Sequence, residues 1–80
     1  MKSEFFGTAF CRGEVIRYYL LYGAGRYGVG VEYRNERVLL AGLTGLRTQA
    51  ESLLEAMLRG SVTPVTVRDV AEDWLNAERL

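Results

Sequence analysis

The sequence predicts an α+β fold: a four-stranded antiparallel meander sheet followed by two C-terminal helices packed on one face. Three observations lead there. Short β-branched and aromatic runs fill residues 4–43, the apolar period lengthens from two to 3.6 near residue 44, and the connections between the early runs are too short for crossovers. Strands first and helices second is the order of an α+β protein. At 80 residues the chain has room for one small domain, 1–80. That is near the size below which a single core struggles to outweigh chain entropy.

The first strand is EFFGTAFCR (4–12), ended by a turn signal at Gly13-Glu14. The second is VIRYYLLY (15–22), a β-branched and aromatic run of strand length. After a glycine-rich loop comes YGVGVEYR (27–34), in which Tyr27, Val29, Val31 and Tyr33 alternate. Asn35-Glu36 offers a two-residue turn, weaker than Asn-Gly, before RVLLAGL (37–43).

Placing Tyr22 opposite Tyr27 sets Leu20–Val29, Tyr18–Val31 and Ile16–Tyr33 on one face. The other face then carries Leu21–Gly28, Tyr19–Gly30 and Arg17–Glu32. Aromatic cover over a cross-strand glycine and an opposite-charge pair both favour this register. A Gly13-Glu14 turn would pair Arg12 with Val15, Phe10 with Arg17, Thr8 with Tyr19 and Phe6 with Leu21. It would also leave Cys11 on a strand beside Ile16 as a buried structural cysteine.

The first helix is expected over about residues 47–59, with Leu46, Ala50, Leu53, Leu54, Met57 and Leu58 at helical spacing. Thr48 and Glu51 have the spacing of a capping box, although the helix could begin a turn earlier, and Gly60 is a natural left-handed C′ residue. The second helix is expected over about 66–78, capped by Thr66 with Asp69 near its positive end. Val65 could staple to Val70, and Val67, Val70, Ala71, Trp74 and Leu75 form the buried stripe, with Trp74 as a core anchor. Pro64 keeps the connector extended.

Hydrophobic residues make up 49% of the chain, enough for a packed core, and ten basic residues balance ten acidic ones. Neutrality removes the main electrostatic reason to expect a nucleic-acid or anionic-membrane partner. No apolar run approaches the roughly 20 residues of a membrane span, and MKSEFF does not read as a signal peptide. The single cysteine cannot form an internal disulfide. A cytoplasmic, soluble protein is the expectation.

Gly23, Gly25 and Gly28 spell G-x-G-x-x-G, the fingerprint of a dinucleotide-binding turn. That chemistry needs a helix directly after the glycines to receive the pyrophosphate. Here a period-two strand follows, so the glycines read as hairpin residues and no cofactor is expected. The chain has no histidine, and Cys11 has no second thiol or imidazole to activate it, so neither a metal site nor a catalytic residue is expected. Asp69, Glu72 and Asp73 could gather on one helix face; they read more simply as solvated carboxylates, with magnesium binding as the rival. Tyr18, Tyr22, Tyr27 and Tyr33 fall on the core face, which favours packing over base stacking.

The segments IRYYLLYGAGRYGVGVEY and VTPVTVRDVAEDWL resemble a family of short uncharacterised proteins from clostridia and related Gram-positive bacteria. Its members share a Tyr-Tyr strand, a Tyr-Gly strand and a C-terminal segment similar to VTP-x-x-x-x-DV-x-EDWL. Val62, Thr63, Pro64, Asp69, Val70, Glu72, Asp73, Trp74 and Leu75 carry that segment here, and the resemblance covers most of residues 15–76. It implies no activity, cofactor or catalytic residue.

With both helices on one face, the other face of the sheet is left with Phe6, Phe10, Val15, Tyr19, Leu21 and Leu39 around Arg17 and Glu32. A one-sided antiparallel sheet normally shows water a polar surface, and an apolar cluster of this size signals a partner. A slipped first strand would instead present Phe5 and Ala9 in place of Phe6 and Phe10. The expected function is a small non-catalytic interaction or regulatory module that forms a homodimer or meets another protein. The alternatives are an enzyme or metal-dependent protein using the acidic helix face and, more weakly, a nucleic-acid binder.

Overall fold

A computed structural model describes residues 1–78. Four strands, β1 (Lys2–Cys11), β2 (Glu14–Gly23), β3 (Arg26–Tyr33) and β4 (Glu36–Thr44), form one antiparallel sheet in the order β1-β2-β3-β4. Two helices follow, α1 (Arg47–Arg59) and α2 (Val67–Glu78). The fold is the α+β meander that the sequence predicts. Its shortest dimension, 17 Å, is that of one helix layer on one sheet.

The central hairpin has the predicted register throughout, from Ile16 opposite Tyr33 to Tyr22 opposite Tyr27. Ala24-Gly25 forms its tight turn, with φ of 52° and 74°. Positive φ at both central residues is the twist that a two-residue hairpin needs. The third glycine of the G-x-G-x-x-G string has a different cause. Between Leu40 and Thr44 the edge strand β4 bulges and passes directly over Gly28. A Cβ on Gly28 would lie 2.0 Å from the Leu40 carbonyl oxygen, so no other residue fits.

The outer hairpins differ from expectation in their turns. β1 and β2 turn at Arg12-Gly13, not Gly13-Glu14, so Cys11 faces Glu14, Phe10 faces Val15 and Ile16 faces Ala9. β3 and β4 turn at Arg34-Asn35, so Tyr33 faces Glu36. Each correction moves the pairing by two positions and therefore preserves which side chains share a face. A bulge between Phe5 and Gly7 then shifts β1 again, by one residue, and this does exchange faces.

The core lies between the sheet and the helices. Ile16, Tyr18, Leu20, Val29 and Val31 project from the sheet onto Ala50, Leu53, Leu54 and Met57 of α1, all buried. Their spacing on α1 is the apolar stripe read from the sequence, and each buried Leu is worth about 1.5–3 kcal/mol. α1 sits close to β1, because a Cβ on Gly7 would lie 3.0 Å from Leu58. From α2, Val67 and Ala71 join the core, with Val70 and Trp74 packed against it. Trp74 is only half-buried, which corrects the expectation of a buried anchor.

The helix ends depart from the sequence reading. Leu46 is the exposed N-cap of α1, and no Thr48–Glu51 capping box forms there. Instead the Thr44 hydroxyl accepts the Leu46 N–H at 3.2 Å and donates to the Gln49 side chain. Glu51 pairs with Arg47 at 3.3 Å. At the C-terminus Gly60 has φ −91°, whereas Ser61 takes the left-handed conformation at φ 48°. The Val62 N–H donates to the Met57 carbonyl (3.0 Å) and the Ser61 N–H to the Leu58 carbonyl (3.3 Å). This is a Schellman motif with Ser61, not Gly60, at C′. Val65 is 77% exposed and makes no staple with Val70.

Candidate functional site

The sheet face opposite the helices is built from residues that alternate with the core positions. Its cross-strand rows follow from the register. One is Thr8–Arg17–Glu32–Arg37, the next is Phe5–Tyr19–Gly30–Leu39, and Phe10–Val15 and Ser3–Leu21–Gly28 lie beyond them on either side. Phe10 is 66% exposed, Phe5 57% and Leu39 40%. Phe5 and Tyr19 pack edge to face, with centroids 5.9 Å apart and an interplanar angle of 73°.

Of the residues expected on this face, Phe10, Tyr19, Leu21 and Leu39 are there and Phe6 is not. The β1 bulge turns Phe6 toward the core, where it packs against the helix side, and puts Phe5 in its place. Gly7 is the sequence signal for that exchange, because an isolated glycine inside a strand marks a bulge. Leu21 is on the face but is only 1% exposed. Gly30 has no side chain, so Leu21 and Leu39 both lean across it: their Cδ2 atoms lie 3.5 and 2.9 Å from the position a Cβ would occupy. Leu21 is thus a packed residue of the outer layer, and the accessible apolar surface comes from Phe5, Phe10 and Leu39.

Charge crosses the middle of the face. Arg17 and Glu32 approach to 3.9 Å with half and a third of their side chains exposed, and Arg37 stands opposite Glu32 on the other side. A screened pair of this kind contributes little to folding. Other ion pairs lie away from it. Arg34 bonds Glu14 and rests over the Tyr33 ring, and Arg47 bonds Glu4 and Glu51. Hydrogen bonding to Glu14, and to Glu51 in the second case, raises the pKa of Arg34 and Arg47 above the ordinary guanidinium value.

A hollow of about 380 Å³ opens beside the Ala24-Gly25 turn, lined among others by Met1, Leu21, Tyr22 and Gly42. Arg26, also in its wall, is engaged by the β4 bulge, its Nε donating to the Gly42 carbonyl at 3.0 Å. Asp69, Glu72 and Asp73 of α2 are all exposed. Among the described residues no three His, Cys, Asp or Glu side chains converge as a metal site would require. Cys11 is half-buried, and its backbone carbonyl accepts the Tyr33 hydroxyl at 3.1 Å. No helix among the described residues is long and apolar enough to cross a membrane.

These features define a two-layer α+β protein with one sheet face under its helices and the other presenting aromatic and aliphatic side chains around a charged row. The model of the Family of unknown function (DUF6514) matches residues 8–77, and the chain belongs to that family. The match takes in Phe10, Arg17, Tyr19, Glu32 and Leu39 and begins after Phe5. Comparison with curated proteins and with solved structures gives no match.

Proposed function

We propose that this chain is a small, non-catalytic protein-interaction module of the cytoplasm that self-associates through the outer face of its sheet. The observation that supports the reading is the exposure of Phe5, Phe10 and Leu39 on the side the helices leave open. Apolar groups of this size, grouped on one sheet, are what a two-fold interface covers. The lone cysteine, which no internal disulfide can use, agrees with a reducing compartment. The VTP-x-x-x-x-DV-x-EDWL segment supports kinship with clostridial and related Gram-positive proteins.

Sedimentation of the wild type against Phe10→Glu/Leu39→Glu tests the proposal, because both side chains are accessible in the monomer. The wild type is expected to sediment as a dimer, indifferent to added magnesium or RNA, and the variant as a folded monomer. A monomeric wild type at high concentration would overturn the reading. A response to magnesium that depends on Asp69, Glu72 and Asp73 would favour the metal-dependent alternative.

A further inference from the structure

We infer that the partner on this face is a second copy of the chain, related by a two-fold axis that runs parallel to the strands between β2 and β3. The inference rests on the self-association proposed above and adds its geometry. What selects the arrangement is the charged row. Its order, Thr8–Arg17–Glu32–Arg37, places opposite charges on the two central strands. Rotation about an axis along the strands exchanges the two central strands between copies, so β2 packs over β3 of the second copy and β1 over its β4. Arg17 of each copy then meets Glu32 of the other, and Arg37 meets the hydroxyl of Thr8.

The neighbouring row agrees. Phe5, the exposed aromatic at the β1 edge, comes over Leu39 of the second copy, and Tyr19 comes over the Leu21 and Leu39 side chains that cover Gly30 there. Sheets packed face to face keep their strands within about 30° of alignment at a separation near 10 Å, which this rotation allows. The other in-plane axis, perpendicular to the strands, serves the charges badly. With that axis through the charged row, Arg17 lies on Arg17 and Glu32 on Glu32. With the axis displaced, the charged row is pressed onto apolar residues and loses water without gaining a counter-charge. Charge pairs of this kind fix the orientation, and removing one partner weakens association because the other charge is left buried and unpaired.

Two charge reversals test the arrangement. Arg17→Glu sets a carboxylate against Glu32 of the second copy, and Glu32→Arg sets a guanidinium against Arg17, so each variant alone is expected to dimerise more than about tenfold more weakly than wild type. Mixing the two variants sets the Arg17 kept by one against the Glu32 kept by the other. The two introduced charges, opposite in sign, also meet, so the mixture should restore the dimer. Sedimentation of each variant and of the mixture reads this directly. Single variants that dimerise like wild type, or a mixture that stays monomeric, would overturn the arrangement. With a dimeric wild type, the broader self-association survives that result. A monomeric wild type defeats both. If circular dichroism shows that a reversal unfolds the chain, Arg17→Gln and Glu32→Gln decide instead. Each should weaken the dimer several-fold, and unchanged association by both would overturn the proposal.

Discussion

The Tyr18 hydroxyl donates to the Val62 carbonyl at 2.7 Å, joining the centre of the sheet to the connector between the helices. Both residues are buried, so the bond is made away from water. Tyr18→Phe leaves that carbonyl without its partner and is expected to cost about 1–3 kcal/mol in chemical denaturation. Burial raises the Tyr18 pKa from 10.0 to about 12, with a smaller contribution from Cys11. The folded state therefore holds the proton more tightly than the unfolded chain. This contribution is complete below pH 10 and is lost as pH rises toward about 12. Denaturation at successive pH values should show a decline in that window that is shallower in Tyr18→Phe. Parallel declines in both proteins would contradict the assignment.

The glycines of the G-x-G-x-x-G string separate by mechanism. Gly25→Ala meets no neighbouring atom but must hold φ near 74°, a cost of about 1–2 kcal/mol. Gly28→Ala drives a Cβ into the backbone of β4 and should cost about 3 kcal/mol or more, or displace the edge strand. Urea titration of the two variants orders them. Calorimetry with NAD or ATP is expected to detect no binding to the wild type, and micromolar affinity would reverse the hairpin reading.

Much of the fold was legible because patterns of period two and 3.6 determine faces directly. Val29, Val31 and Tyr33 alternate cleanly, and Arg17–Glu32 corroborated the central register. The outer turns lie one residue before Gly13-Glu14 and Asn35-Glu36, which moves each pairing by two, since Arg12 and Arg34 occupy left-handed conformations that their side chains do not advertise. Their faces were still right. Phe6 departs from its expected face for a stronger reason: its orientation depends on a one-residue bulge beside Gly7, where the helix packs close. Alternation puts Leu21 on the correct face, but its burial arises from the room above Gly30, a packing effect between strands that alternation within one strand does not report.

Ser61 offers a stabilising substitution. It carries the left-handed C′ position of α1 at φ 48°, a conformation that strains an L residue. Ser61→Gly should gain about 1 kcal/mol, seen as a higher midpoint in thermal or urea unfolding. Gly60→Ala should be close to neutral, because φ is −91° and the nearest atom to the new Cβ is 3.5 Å away. A destabilised Ser61→Gly would argue against the Schellman geometry.

Folding and the proposed self-association can be separated on the same face by comparing Leu21 with Phe10. Leu21 is enclosed within its own chain, so Leu21→Ala removes packed methyl groups in monomer and dimer alike. It should cost about 2–5 kcal/mol in unfolding experiments. Phe10 is 66% exposed, and Phe10→Ala removes little that the isolated chain buries. Its expected cost to the monomer is within about 0.5 kcal/mol, the usual range for a surface change, while the dimer dissociation constant should rise measurably. Unfolding at a concentration low enough to keep both variants monomeric gives the first comparison, and sedimentation equilibrium gives the second. If Phe10→Ala destabilised the monomer as much as Leu21→Ala, the exposed aromatic edge would be a folding element and not a surface held for a partner.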